Sequence, residues 1–350
     1  MTSPALVPLR RTHPDQRARL SGAAVGRLQA YSLRVSLLEQ CQLSCRYCMP
    51  GSVRPYTPNQ RWLRASHYAR LATHFARYGV TKIRFTGGEP LLRPDVVEIV
   101  AAWRDGIPDA DLALTTNGER LTELAGPLAD AGLNRVTVHL DTLRPERYPS
   151  LMGPGNPTQI LDGLFAAQNR LQEVKLNVVV QKGLNDDEIS DFLSFSARFG
   201  VEVRFIELMN TGSAKSYVAD TFVSGAEILE QVRASHVVHP RARRQPSDPA
   251  MLFEAQAPGQ NDSTPVVFGL IASDTQPFCA DCDRLRLTAE GSLRGCLYAP
   301  SGPQLGQLLR DGAIDEALAA TIEAGLDGKR PHHPLVDRAR EPFSMADIGG

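Results

Sequence analysis

No apolar run in these 350 residues approaches the length of a membrane-spanning helix. Neither sign of charge dominates: 38 Lys and Arg stand against 39 Asp and Glu, a net charge of −1. That balance removes any bulk electrostatic case for nucleic acid or an anionic membrane, so an anion site must be a local gathering of cations. Met1 to Ala30 carries Arg10-Arg11 with no apolar stretch behind it, which argues against a secretory or twin-arginine leader and leads us to expect a cytoplasmic protein. Internal repeats and low-complexity tracts are also missing. Cysteine is scarce, and six in a chain of this length are too few for a disulfide scaffold. What is present is an ordinary globular composition, 42% apolar and 22% charged, long enough for one large domain or two unequal ones.

Between about Tyr31 and Asn210, strand-like and helix-like segments alternate. Short apolar or β-branched runs occur at Leu33–Leu37, Lys82–Phe85, Leu112–Thr115, Arg135–Leu140, Val174–Val180 and Glu202–Ile206. Amphipathic stretches separate them, at Ala65–Tyr78, Val96–Trp103, Leu121–Ala131, Ile160–Gln172 and Glu188–Phe199, several closing on Gly79, Gly132 or Gly200 as helix ends do. Repeated β-then-α units predict an α/β fold with a parallel sheet and outer helices. About six units fall short of a closed eightfold barrel, so an open, TIM-like partial (β/α)6 barrel is expected, with chemistry at the C-terminal ends of its strands. After Asn210 the pattern changes. A helix is expected over Ala226–Ala234, a loop over Arg241–Pro265, a strand at Val266–Ile271, a hairpin over Arg284–Arg294 turning near Glu290-Gly291, and helix over Gln304–Ala324. The resulting division is an N-terminal extension (1–30), the partial barrel (31–225) and a C-terminal region (226–350).

The cysteines are more informative by position than by number. Cys41, Cys45 and Cys48 form a C-x3-C-x2-C run directly after the first strand; Cys279, Cys282 and Cys296 form a second triad, with the hairpin returning Cys296 towards Cys282. Three thiolates suit a [4Fe–4S] cluster with one iron left open to a small molecule. A structural zinc wants four closed ligands. None is near the first triad, whereas a zinc site completed by His236 or His239 is the alternative at the second. Lys82 and Arg84, two apart on one strand, point to the same face, as do Arg284 and Arg286; Arg34 and Lys175 lie on strands facing the same cavity. Such a gathering suits a densely charged anion.

Cys41-Gln-Leu-Ser-Cys45-Arg-Tyr47-Cys48, with Thr86-Gly-Gly88-Glu89-Pro90 at the end of the second strand, resembles the signature and the GGEP motif of the radical S-adenosylmethionine (SAM) superfamily. The stretch Thr275 to Gly291, with Leu33-Arg34, Lys82-Ile-Arg84, Leu114-Thr-Thr-Asn-Gly118, Val174-Lys175, Val203 to Met209 and the terminal Ile348-Gly349-Gly350, is similar in order to the GTP 3′,8-cyclase family of molybdenum cofactor biosynthesis. The resemblance implies two [4Fe–4S] clusters, SAM, GTP, an external electron donor and a homodimer. It implies SAM contacts at Tyr47, Gly88, Glu89 and Met209. GTP contacts are implied at Arg34, Arg84, Thr115, Lys175, Arg284 and Arg286, with Lys82 and Leu285 beside them, and catalytic support from Arg284, Arg286, Gly349 and Gly350. The chain departs from the family at His139, where Ser is common, and His139 is expected either to contact SAM or only to point into the barrel. The competing activity is another twin-cluster radical enzyme, for instance one that modifies peptides.

Overall fold

A computed structural model describes residues 31–49, 53–210, 218–259, 264–299, 301–327 and 329. Its strands are β1 (Tyr31–Ser36), β2 (Val80–Thr86), β3 (Asp111–Thr116), β4 (Arg135–His139), β5 (Glu173–Val180), β6 (Glu202–Glu207), β7 (Val237–Arg241), β8 (Met251–Gln256), β9 (Val266–Ile271), β10 (Arg284–Leu287) and β11 (Leu293–Arg294). The helices are α1 (Ala65–Arg77), α2 (Val96–Gly106), α3 (Leu121–Asp130), α4 (Tyr148–Met152), α5 (Pro157–Gln168), α6 (Ile189–Phe199), α7 (Val218–Thr221), α8 (Gly225–Ser235), α9 (Leu305–Arg310) and α10 (Asp315–Asp327). α1 shows why they pack outside: Tyr68, Leu71, Ala72 and Phe75 share one helical face and are all buried. Gly79, Gly132 and Gly200 have φ of 76°, 97° and 67°, the left-handed turn that ends a helix before the next strand.

Among the described residues all eleven strands join one sheet, in the order β11-β10-β1-β2-β3-β4-β5-β6-β9-β8-β7. The six expected strands are parallel neighbours in chain order, which is the partial barrel. The C-terminal region then extends both edges: β10 adds parallel to β1, and β9 adds parallel to β6. Strand alternation does the sorting. On β1, Leu33 and Val35 are fully buried against the helical layer, while Ser32 and Arg34 face a central cavity.

Two expectations need correction. Arg241–Pro265 is not all loop, because β8 lies within it, paired with β7 and β9. Its run Met251-Leu-Phe-Glu-Ala-Gln is short and sits among Pro, Arg and Asp, so local composition hides it; Leu252, Phe253 and Ala255 are buried only because β9 supplies a neighbour. Gln304–Ala324 is not one helix: Gly312, with φ 69°, separates α9 from α10.

Candidate active site

The inward faces of β1–β6 and β10 surround a cavity of about 830 Å³, and all six cysteines line it. Its upper end, at the C-terminal ends of the strands, is built by two turns that lock together. Leu37 N–H donates to the Thr86 carbonyl at 2.8 Å, Gly88 N–H to Leu38 at 2.8 Å, and Glu89 N–H to Gln40 at 2.7 Å. A Cβ on Gly87 would lie 2.3 Å from the Leu38 oxygen, and one on Gly88 2.1 Å from the Gln40 oxygen. The two glycines are therefore required for backbone to meet backbone directly ahead of Cys41. Cys41 pairs with Arg54 in a two-way bridge, and the Cys48 N–H donates to the Cys45 carbonyl at 2.9 Å, which closes the loop.

No disulfide joins any of the six cysteines. Burial, and then the Glu89 carboxylate, push the Cys41 thiol up to about 12, and burial and then Asp141 push Cys45 well above its usual range. Thiolates there need a cationic centre to hold them ionised, which is what an iron–sulfur cluster provides. Among the described residues no three His, Cys, Asp or Glu side chains converge on a point that would hold a single ion. Three thiolates are the donor set that a cubane takes up on three separate irons, whereas a structural zinc wants a fourth closed ligand. His236 and His239, the candidate fourth ligands for zinc, do not line the cavity.

Beside the first triad, Tyr47 hydrogen-bonds through its hydroxyl to His139 Nε2, and that nitrogen lies 3.1 Å from Asp141 Oδ2. Asp141 is fully buried, and its Oδ1 accepts from Val179 N–H at 2.7 Å. Burial and then Asp141 raise the Tyr47 pKa, keeping the phenol neutral. Glu89 accepts from Leu91 N–H at 2.9 Å, the Thr116 hydroxyl at 2.7 Å and Asn117 N–H at 2.7 Å, so it holds three turns together while facing the cavity; burial raises its pKa to about 7. Met209 and Leu208 line the same end.

The second triad lies at the opposite end. Cys279 and Cys282 precede β10, Cys296 follows β11, and β10 runs parallel to β1 with Ser32 opposite Arg284. These cysteines therefore sit at the N-terminal ends of the strands, not at the C-terminal ends where the chemistry of such folds was expected. The six residues of β1 put roughly 20 Å between the two triads.

Between the triads, strand register aligns arginines. Arg34 is opposite both Arg84 and Arg286. Arg84 donates to the hydroxyls of Thr115 and Thr137 at 3.1 and 3.2 Å. Arg284 lies over the Phe278 ring at 4.2 Å, and among the described residues its buried Nε and Nη2 meet no hydrogen-bond acceptor. Burial and then Arg286 lower the Arg34 pKa; burial and then Arg135 take Arg84 to about 9; burial and then Arg284 take Arg286 to about 10. An arginine does not deprotonate under such conditions, so these shifts reflect first the cost of burying a guanidinium and then the repulsion of neighbouring arginines. Two further expected cations are held by partners within the protein. Lys82 hydrogen-bonds Gln245, and Lys175 is ion-paired to Glu173 at 3.0 Å and Glu202 at 3.3 Å. Leu285 points into the core, so only its backbone faces neighbouring strands. Gly349 and Gly350 lie outside the described residues. Arg204, Arg244, Phe278 and Lys329, not among the site residues expected from the sequence, also line the cavity. Strand alternation carried a signal for Arg204, two residues from Glu202 on one strand, but Arg244 and Lys329 come from irregular segments.

The fold and the triad at its upper end define a radical SAM enzyme: residues 35–196 match the Radical SAM superfamily, and residues 201–335 match the family Molybdenum Cofactor Synthesis C. SAM and an iron–sulfur cluster follow from that membership. The chain is 41% identical to the GTP 3′,8-cyclase of Acidothermus cellulolyticus over 84% of its own length and 81% of that protein's. Its identity to the GTP 3′,8-cyclase of Limosilactobacillus fermentum is 37%, covering 93% of this chain and 97% of the other. Among solved structures, Streptococcus suis SuiB bound to precursor peptide SuiA superposes with a TM-score of 0.59 at 14% identity, covering 84% of this chain and 66% of that one, a likeness of fold. The chain belongs to the GTP 3′,8-cyclase family. Among the described residues no helix is long and apolar enough to cross a membrane.

Proposed function

We propose that this chain is a GTP 3′,8-cyclase, a lyase that converts GTP to (8S)-3′,8-cyclo-7,8-dihydroguanosine 5′-triphosphate in molybdenum cofactor biosynthesis. The observation that carries the reading is the row Arg84–Arg34–Arg286 with Arg284 beside it, buried like charge between two cysteine triads. A dense anion relieves that repulsion, and the Arg284 donors that meet no acceptor among the described residues give it hydrogen bonds. In this reading each triad holds a [4Fe–4S] cluster, and residues 226–350 form the second-cluster region. With SAM bound at the first triad, the cofactors supply a 5′-deoxyadenosyl radical able to take hydrogen from C3′ of the ribose. The protein's work is positioning. Arg34, Arg84, Arg284 and Arg286 grip the triphosphate, and Thr115 and Thr137 hold the Arg84 guanidinium in place. The second triad sits at the mouth where the purine would be held, and the enclosing sheet keeps bulk water from the reacting ribose. Gly349 and Gly350 support the radical step from the tail. An external reductant supplies electrons, and the protein acts in the cytoplasm as a homodimer.

Anaerobic incubation with SAM, a reductant and each nucleoside triphosphate in turn tests the reading. GTP alone should yield 5′-deoxyadenosine together with a cyclised nucleotide. Deoxyadenosine formation indifferent to the nucleotide, with no cyclised product, would remove the assignment.

A further inference from the structure

Lys329 reaches the cavity because of how α10 is seated. Gly325 packs on Leu293 of β11, where a Cβ would stand 2.4 Å from Leu293 Cδ2, so any larger residue would require the Leu293 side chain to shift. The chain then turns, with Lys329 N–H donating to the Leu326 carbonyl at 3.0 Å, and the side chain enters the cavity wall beside the second triad. Its ammonium donates to the Arg284 carbonyl at 2.8 Å and the Gly295 carbonyl at 3.2 Å, and lies 3.9 Å from Cys282 Sγ. An ammonium has three donors, and these contacts use all of them. The first carbonyl lies two residues beyond Cys282 and the second immediately precedes Cys296. One side chain therefore ties together the two segments that carry the triad, and does so with a positive charge next to a ligand sulfur.

We propose that Lys329 is a positioning residue for the second cysteine triad, bridging its two segments and raising the reduction potential of the cluster they hold. The inference rests on the reading that this triad carries a cluster. Hydrogen bonds to ligand sulfur and net charge are the protein's main controls on such potentials, and a cation beside the sulfur favours the more negative, reduced state. The bridge is also specific to a long flexible cation. A neutral side chain of similar length fills the space without the charge, and a shorter one cannot reach both carbonyls.

The test isolates the second cluster in the full-length chain carrying Cys41→Ala, Cys45→Ala and Cys48→Ala. Lys329→Met, Lys329→Gln and Lys329→Arg are added in turn, and each protein is followed by iron content and by redox titration monitored by electron paramagnetic resonance. Lys329→Met and Lys329→Gln should shift the midpoint to more negative potential and alter the spectrum, and Lys329→Arg should stay near the parent. If the two neutral variants fail to load iron while Lys329→Arg loads, the bridge itself is established as essential. Full iron with an unchanged midpoint in either neutral variant overturns the proposal. Absence of iron in the parent with Lys329 intact refutes the second cluster, a separate failure that takes this inference with it.

Discussion

The cavity has two walls made from the same residue types and held in opposite electrostatic states. On the β10–β1–β2 side, Arg34, Arg84, Arg284 and Arg286 lie in neighbouring register. Burial and then Arg286 depress the pKa of Arg34, burial and then Arg284 that of Arg286, while for Arg84 the repulsion that follows burial comes from Arg135 and Arg204 across the cavity. On the β4–β5–β6 side, cations and anions interleave. Arg135 pairs with Asp111 and Glu173, Lys175 with Glu173 and Glu202, Arg204 with Glu202 at 2.8 Å, and Arg244 with Glu173 and with Glu202 at 2.9 Å. Burial alone would raise the Glu173 carboxyl; the Arg244 hydrogen bond and then Lys175 reverse that and bring it down to about 2. A neutralised wall is stable as it stands. A wall of confined like charge gains from an anionic ligand, so the asymmetry between the walls, more than a count of cations, makes the arginine side the candidate site for an anion. Lys175 shows the difference, because sequence spacing groups it with the arginines and the structure places it in the paired network.

The largest effect should come from removing what stands above both walls. Changing Cys41, Cys45 and Cys48 together to Ala should halve an iron content of about eight per chain and abolish reductive cleavage of SAM, as read by iron assay and 5′-deoxyadenosine formation. Full iron or surviving cleavage would refute the first-cluster assignment. Next come the walls themselves. Arg284→Ala and Arg286→Ala should each weaken GTP binding by on the order of 1.5–3 kcal/mol, roughly tenfold to a hundredfold, with iron unchanged. Arg244→Ala on the paired wall should instead lower stability more than GTP affinity, and calorimetry with thermal denaturation separates the two. Equal loss of GTP affinity on both walls would erase the distinction between them.

A smaller effect is expected in acid. The folded pKa of Glu173, about 2, lies below its ordinary 4.5, so its contribution is present above pH 4.5 and is lost as pH falls towards 2. Glu173→Gln should flatten that part of the stability profile in denaturant titrations; an unchanged slope would mean the network is not holding that charge. The smallest effect concerns the upper end. Tyr47→Phe and His139→Ala should each weaken SAM binding by about 1 kcal/mol, the net worth of one hydrogen bond, and the double variant should cost less than their sum. Additive losses would show that His139 acts apart from Tyr47.

Local pattern carries much of this architecture. The six β-then-α units, their closing glycines and the two cysteine triads follow from short-range spacing, because strand and helix periods and ligand separations are local properties. The pair Gly87-Gly88 is legible as a point of close approach, but what approaches is the backbone of residues 38–40. Strand β8 is not legible, since its burial depends on a neighbour that follows ten residues later.

The sequence by itself determined which residues could carry the chemistry: six cysteines in two groups, a Gly-Gly-Glu-Pro turn, and arginines spaced two apart on strands. Only the tertiary structure decided where they act. Parallel pairing of β10 with β1 sends the second triad to the far end of the cavity and brings Arg286 level with Arg34. The carboxylates that neutralise Lys175 are Glu173 of β5 and Glu202 of β6, and Arg244 arrives from an irregular segment to share both. Charge state in a cavity is a property of everything that faces it, and those neighbours are set by register and by chain crossings too distant in sequence for any local pattern to record.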